Sequence, residues 1–477
     1  MNDIVLELAK EYTKEIMRYF EETGIYDIGE VAKELGAMSN KHAKKLLIAI
    51  LERIDAEICE AKELRKKDEI VIHERDVSRC VYTSLGEIRL RRTYFKDNES
   101  GTMIYLLDHI AGIEAYDRVS SEVAARLVSK CTEMSYCKSA DNVVDGEISR
   151  QTVKNKAMKT KELAYVPEKK NKVPKELHIF ADEDHVHMQS GKSNVLPLIT
   201  ISEGVKSVSK GRNELIEPLH IQGYKIPPEN VWEYAYALCD EKYDDIQKVD
   251  RIYIHGDGAP WILSGLDVMP NSFHVLDHYH IKAKMRSLTA GSPEGYSSKL
   301  WSYLRQGNYD GFSNTIYELL EETEKTYPKE LIKKRTKKIR KTGGYMLAHW
   351  DAIMRRFEPE MTGSCTEPLV SHVLSERFSR NPMGWSEAGL SKIASCRVYV
   401  QNGGMITKDD IITGKITSGK TAPHKIDKYE ALVALKTKEF LRKERDWSLF
   451  ENEHIGLSKM TGTKIALDSL GKTRYVN

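Results

Sequence analysis

The sequence predicts an α/β protein: a mixed sheet interrupted by an all-α insertion, preceded by a mainly helical N-terminal region that carries a β-hairpin. Three observations lead there. Short apolar runs of β character, HIFADEDHVH, RIYIHGDGAPW and SFHVLDHYH, recur between residues 178 and 280. Helical periodicity alone fills the stretch from about Lys284 to Thr362. Before residue 165 the pattern is helical except for one stretch of strict alternation.

Residues 1–78 read as a helical region. Ile4, Val5, Leu8, Tyr12, Ile16, Tyr19 and Phe20 fall on one helical face. Leu46, Leu47, Ile50, Leu51 and Ile54 form the stripe of a second helix over Asn40–Lys62. The period changes to two in CVYTSLGEIRLRRTYF, around Ser84-Leu85-Gly86, and predicts a β-hairpin within 79–108.

Helical signals return over 109–165. A helix is expected at Ser120–Lys130 and a short one from Ser135, then a turn at Asp145-Gly146-Glu147 and a basic helix, RQTVKNKAMK, capped by Ser149. Two short helices, a Gly-containing turn and a basic second helix have the form of a helix-turn-helix. Arg150, Gln151, Lys154, Asn155 and Lys156 are placed on its polar side, where they suit phosphate and base-edge contact. An ordinary helix pair has the same pattern.

Tyr165–Lys175, with Pro167 and Pro174, reads as a linker. Strands are expected at Leu177–Met188, Val195–Ser202 and Leu215–Gln222, a helix at Pro228–Lys248, and strands at Arg251–His255 and Ser272–Leu276. That order matches a mixed sheet of ribonuclease H type, spanning 176–285 and resuming over 364–400 after an all-α insertion at 286–363. Residues 401–477 read as a basic, weakly ordered tail.

Composition narrows the class. The chain has 477 residues, 40% hydrophobic and 30% charged, with a net charge of +2. That length suits about two to four domains. No apolar run nears the roughly 20 residues needed to cross a bilayer, and the first residues lack a secretory pattern, so a cytoplasmic protein is expected. Seven single cysteines, with no CxxC pair, argue against a zinc ribbon or a disulfide framework. The basic runs PKELIKKRTKKIRKTGG, Pro167–Lys175 and the chain beyond Lys408 are either solvated faces or contacts for a polyanion.

The candidate chemistry is acidic. Asp182 and Asp257 each close a β-like run, as hard oxygen ligands for a divalent metal do. Strand alternation puts Asp182 and Asp184 on one face and turns Glu183 away. Asp257 lies between two glycines, which permits close backbone approach to a ligand. Asp277 and His280 form a DxxH after the next strand. Glu367 and Glu376 share one expected helix but lie nine residues, about 2.5 turns, apart, so only one of them faces a site on the sheet.

In order, SLGEIRLRRTYF, ADEDHVH, YIHGDGAPWI, LDHYHIKAK and SCTEPLVSHVLSERFSRNPMGWS resemble bacterial insertion-sequence transposases of the ISLre group. These are relatives of the Mutator-like transposases, with a ribonuclease H-like DDE domain. The resemblance runs from roughly Arg79 to Gly404. It implies that Asp182 opens a D-x-x-aromatic-V strand, with His185 in the aromatic place, and that Asp257 sits in the DG turn. Asp277 and His280 match a C/D-x-x-H motif, and Glu367 matches the third acid better than Glu376 does. It further implies two Mg²⁺ (or Mn²⁺) ions, roughly 4 Å apart, on Asp182, Asp257 and Glu367. Asp277, His280, Asp184 and Glu376 would then position DNA or the ligands. The implied partners are double-stranded DNA, as transposon ends and target, and a second copy of the chain. Two rivals stay open: a nuclease or resolvase without strand transfer, and a non-catalytic DNA-binding regulator.

Overall fold

The computed structural model describes residues 2–23, 27–209, 212–358, 361, 365–381, 383–412 and 423–443. The chain divides into two units, one formed by Met1–Ser120 with Gly414–Asn477 and the other by Ser121–Thr413.

In the first unit, α1 (Asn2–Thr23) and α2 (Ile28–Glu60) are followed by a short α3 (Lys62–Lys67). Then come β1 (Ile70–Thr83), β2 (Gly86–Asp97), β3 (Thr102–Ile104) and α4 (Leu106–Ile110). The hairpin closes at Thr83↔Gly86, where Gly86 takes φ +97°, as the tight turn requires. β1 starts at Ile70, well before the expected hairpin boundary at residue 79 and inside the region read as helical. Register shifts between Ile72 and Val77 break the alternation there, which hides the strand in the sequence. Ile58, Ile70, Phe95, Ile104 and Leu106 form its core together with Tyr429. Tyr429 belongs to a helix over Pro423–Lys443, so this part of the expected loose tail is ordered. Lys425 holds that helix through Asp97 at 3.0 Å, and Lys428 through Asp68 at 2.6 Å. Residues 401–412 are also described, with a helical turn at Lys408–Asp410, and residues 413–422 and 444–477 of the tail lie outside the described residues.

The second unit opens with α5 (Ser121–Cys131), α6 (Tyr136–Val144) and α7 (Arg150–Met158), which pack on one another. Ser135 and Ser149 cap the second and third by accepting from the backbone N–H three residues on. A five-stranded sheet follows: β4 (Glu176–His187), β5 (Ser193–Ser202), β8 (Leu219–Gln222), β9 (Arg251–Gly256) and β10 (Ser272–Leu276). Between β5 and β8, a separate ribbon of β6 (Val205–Ser209) and β7 (Arg212–Leu215) takes up the start of what reads as one strand, Leu215–Gln222.

The sheet order is β10-β9-β4-β5-β8; β10, β9 and β4 are parallel, and β5 and β8 antiparallel to their neighbours. α8 (Pro228–Tyr243) makes the crossover from β8 to β9 and buries Trp232 against Ile179, Ile199 and Ile254. Short α9 (Pro260–Leu263) and α10 (Gly265–Val268) lead to β10.

Next come α11 (His278–Thr289), α12 (Tyr296–Gln306), α13 (Tyr309–Thr326), α14 (Lys329–Ala348) and α15 (Trp350–Arg356). They share a core of Ile281, Leu300, Phe312, Ile316, Met346 and Trp350, so the helical block begins at α11 rather than at residue 286. The chain returns to the sheet through α16 (Thr366–Leu369), a π-helical segment (Val370–Ser375) and α17 (Glu376–Phe378), and α18 (Glu387–Gln401) follows. No described helix is long and apolar enough to cross a membrane.

Candidate metal centre

The sheet register sets the acids side by side. β4 and β9 stay paired as far as Phe180↔His255, and Asp182 and Asp257 each lie two residues further on. They therefore occupy equivalent positions on adjacent strands, about 4.8 Å apart in a sheet. β9 and β10 are paired to Gly256↔Leu276, so Asp277 comes into the same row. Asp182 does not end its strand: β4 continues to His187 against β5, with Asp182 opposite Leu198. It is the neighbour β9 that stops, and this opens one side of β4.

Beneath the acids the same face carries His178, Phe180 and His255. The His178 Nδ1 and His255 Nε2 atoms are 3.0 Å apart, and burial holds both rings well below their usual pKa. The floor is therefore uncharged at neutral pH.

Asp182, His280 and Glu367 converge, with one ligand atom from each lying within 4.8 Å of the others. His280 projects from the first turn of α11, and its Nε2 is 4.0 Å from the Glu367 Oε1. That is too long for a hydrogen bond, and this buried nitrogen has no other partner. Burial, reinforced by the charges of Glu367 and Asp257, pushes the Asp182 carboxyl up to about 7, although the Glu183 N–H donates to it at 2.9 Å. Glu183 itself faces away, as alternation requires, and accepts from the Trp261 indole at 2.7 Å.

Asp257 stands beside this group without being one of the three. Its Oδ1 accepts from Ala259 N at 2.8 Å, and its backbone carbonyl from the Tyr345 hydroxyl. Gly258 has φ +78°, and a Cβ there would come within 2.7 Å of the His349 ring. The close approach inferred for this glycine is thus to a side chain of the helical block. Tyr345 and His349 were not distinguishable in the sequence, because α14 and its C-cap show only a basic amphipathic pattern.

The two glutamates separate cleanly. Glu367 joins the cluster, whereas Glu376 is surrounded by His372 at 3.0 Å, Arg380 at 3.5 Å and Arg397 at 3.9 Å. The π-helical segment between them removes the basis for counting 3.6 residues per turn. Asp184 is buried and accepts from Ser379 at 2.8 Å, and Asp277 caps α11 by accepting from Tyr279 N at 2.7 Å. Both have structural partners here.

The chain matches the uncharacterised protein family UPF0236 over residues 22–413. It belongs to that family. One UPF0236 protein of Caldanaerobacter subterraneus subsp. tengcongensis is 35% identical over 407 residues, covering 84% of each chain. Another from the same organism is 34% identical over 409 residues, 85% of this chain and 86% of the relative. The name of the first joins eleven locus designations.

In this UPF0236 chain the five residues placed on the polar side of α7 divide by exposure. Arg150, Gln151 and Asn155 are exposed and Lys154 half-buried, with Gln151 donating to Asn155 at 2.9 Å. Arg150, Gln151 and Lys154 line an open cavity of about 520 Å³ with Tyr136 and Trp385. Lys156 is 3% exposed and turns inward, so it does not belong to that polar face. On α14 most of the basic run is exposed, but Arg335 is buried and donates to the Ser287 and Leu288 carbonyls.

Proposed function

We propose that this chain is a metal-dependent DNA transposase of the DDE type. It would cut DNA at the ends of an insertion sequence and join the freed 3′-hydroxyl to a target. The observation that carries this reading is the convergence of Asp182, His280 and Glu367, from three separate parts of the chain, with Asp257 beside them. A mixed five-stranded sheet in which β5 alone runs against the other four, with an all-α block before the third acid, agrees with a ribonuclease H-like scaffold. A relative carried at eleven loci of one organism is what a mobile element produces.

The donor set fits a divalent cation. Asp182 and Glu367 offer carboxylate oxygens, and His280 offers a buried nitrogen with no hydrogen-bond partner among the described residues. Asp257 is the ligand available for a second ion. Carboxylates suit Mg²⁺ and Mn²⁺, and the imidazole favours Mn²⁺ of the two. When bound, such ions supply Lewis-acid activation of a phosphodiester and of the attacking oxygen. Asp182, poised near neutrality, releases its proton as the cation enters. Tyr345 and Gly258 fix the backbone that carries Asp257, and the exposed face of α7 provides amide and cationic groups for the transposon ends.

The test is a cleavage and joining assay on DNA carrying the element's own termini, with Mg²⁺ or Mn²⁺. Asp182→Asn and Asp257→Asn are expected to bind the ends and neither cut nor join. Cutting by either variant overturns the assignment, and cutting without joining by the wild type establishes the nuclease alternative.

A further inference from the structure

The first unit carries a second charged feature, remote in kind from the acidic centre. Arg79, Arg89, Arg92 and Arg118 line one open basin of about 420 Å³, with Glu87 as the single carboxylate on its wall. Three elements build it. Arg79 lies on β1, and Arg89 and Arg92 on β2. Arg118 is held along the edge of β1 because its carbonyl accepts from Tyr82 N at 2.7 Å.

The inner pair is the informative one. Arg92 is 6% exposed, is ion-paired with Asp108, and lies 3.5 Å above the Tyr105 ring. Its Nε is buried with no hydrogen-bond partner, and so is the Nε of Arg79. Arg79 donates through Nη2 to the Glu114 and Asp117 carbonyls, which carry no net charge. Burial first, and the neighbouring Arg79 charge second, lower Arg92 to about 10. Four guanidiniums around one open basin, with Glu87 as the carboxylate among its lining residues, suit an anion with several oxygens. Arg89 and Arg118 are exposed at the rim and extend the charge outwards.

We propose that this basin binds the phosphodiester backbone of duplex DNA, giving the chain a contact separate from α7. Arg89 and Arg118, exposed at the rim, would contact the phosphates, while Arg79 and Arg92 beneath them add positive charge. This rests on the reading of the protein as acting on DNA. It adds a surface that the acidic centre does not require.

The experiment measures fluorescence anisotropy of a short labelled duplex with the full-length chain at rising salt. It compares the wild type with R89A/R118A, both exposed positions. Each lost phosphate contact removes about 0.9 from the slope of log affinity against log salt. The double variant should therefore show a slope shallower by about 2, and bind more weakly at low salt. Equal affinity and slope in the two proteins overturn the proposal. So does a variant that loses its thermal stabilisation by millimolar inorganic phosphate yet binds the duplex unchanged, since the basin then takes a small anion instead. The outcomes are separable from those for catalysis. Cleavage by Asp182→Asn would sink the metal centre and leave this surface standing, and the reverse holds for an unaltered R89A/R118A.

Discussion

Two regions of this molecule crowd like charges, and they do so with opposite sign. In the second unit, Asp182, Glu367 and Asp257 gather over a neutral histidine floor, and burial, with the neighbouring carboxylate charges adding to it, raises the Asp182 carboxyl to about 7. In the first, Arg79 and Arg92 share a basin, and burial, with the Arg79 charge adding to it, lowers the Arg92 guanidinium to about 10. Neither arrangement favours the folded state by itself, because like charges brought together out of water repel and lose hydration. Each becomes favourable when a counter-charge enters. Under the two proposals the acidic centre takes a hard cation and the basin an oxyanion, so the two places differ in the sign of the charge they would bind.

The comparison breaks most sharply at the acidic centre. Asp182→Asn or Glu367→Gln should lower the rate of DNA cleavage by about a thousandfold or more, with duplex binding retained, measured by single-turnover assay. Behind the basin, Asp108→Asn removes the carboxylate ion-paired with Arg92. Leaving a buried guanidinium alone should cost about 3 kcal/mol in urea unfolding, part of which duplex DNA restores. If that variant is as stable as the wild type, the basin is not electrostatically strained.

His280→Ala should weaken divalent cation binding by about 10- to 100-fold by calorimetry. An unchanged affinity would remove His280 from the ligand set. The pH dependence sharpens the same point. With a folded pKa of about 7 against an ordinary value near 4, Asp182 holds more proton in the folded than in the unfolded chain between those two values. Metal-free stability should therefore fall as the pH rises through that window. Asp182→Asn should flatten the fall, and Mn²⁺ should stabilise the wild type more at pH about 8 than at pH about 5, all readable from thermal melts in chelator. Smallest of all, Glu376→Gln should leave cation binding unchanged and alter stability by less than about 1 kcal/mol, since its ion pairs are partly exposed.

Much of the frame is legible in the chain itself. The apolar runs at HIFAD and RIYIHGD mark β4 and β9, and their pairing register, Glu176↔Arg251 to Phe180↔His255, brings Asp182 and Asp257 to one level. Ser149 is readable as a cap, since an oxygen-bearing side chain before a helical run satisfies orphan N–H groups wherever it occurs. Such features depend on neighbours in sequence and on backbone geometry alone.

Other features depend on contacts across the chain, and these only the folded molecule decided. The choice of Glu367 over Glu376 turns on a π-helical segment that no spacing rule anticipates. The entry of His280 into the acidic cluster turns on where α11 starts after β10, and the inward turn of Lys156 on the packing of α7 against its neighbours. The early start of β1 is masked by its bulges, and the docking of Pro423–Lys443 follows from Tyr429 filling a distant core. Periodicity reports which face of an element is apolar; it does not report what lies opposite. The arginine basin is the fullest case, for Arg79, Arg92 and Arg118 become one site only when β1, β2 and the Arg118 edge are brought together.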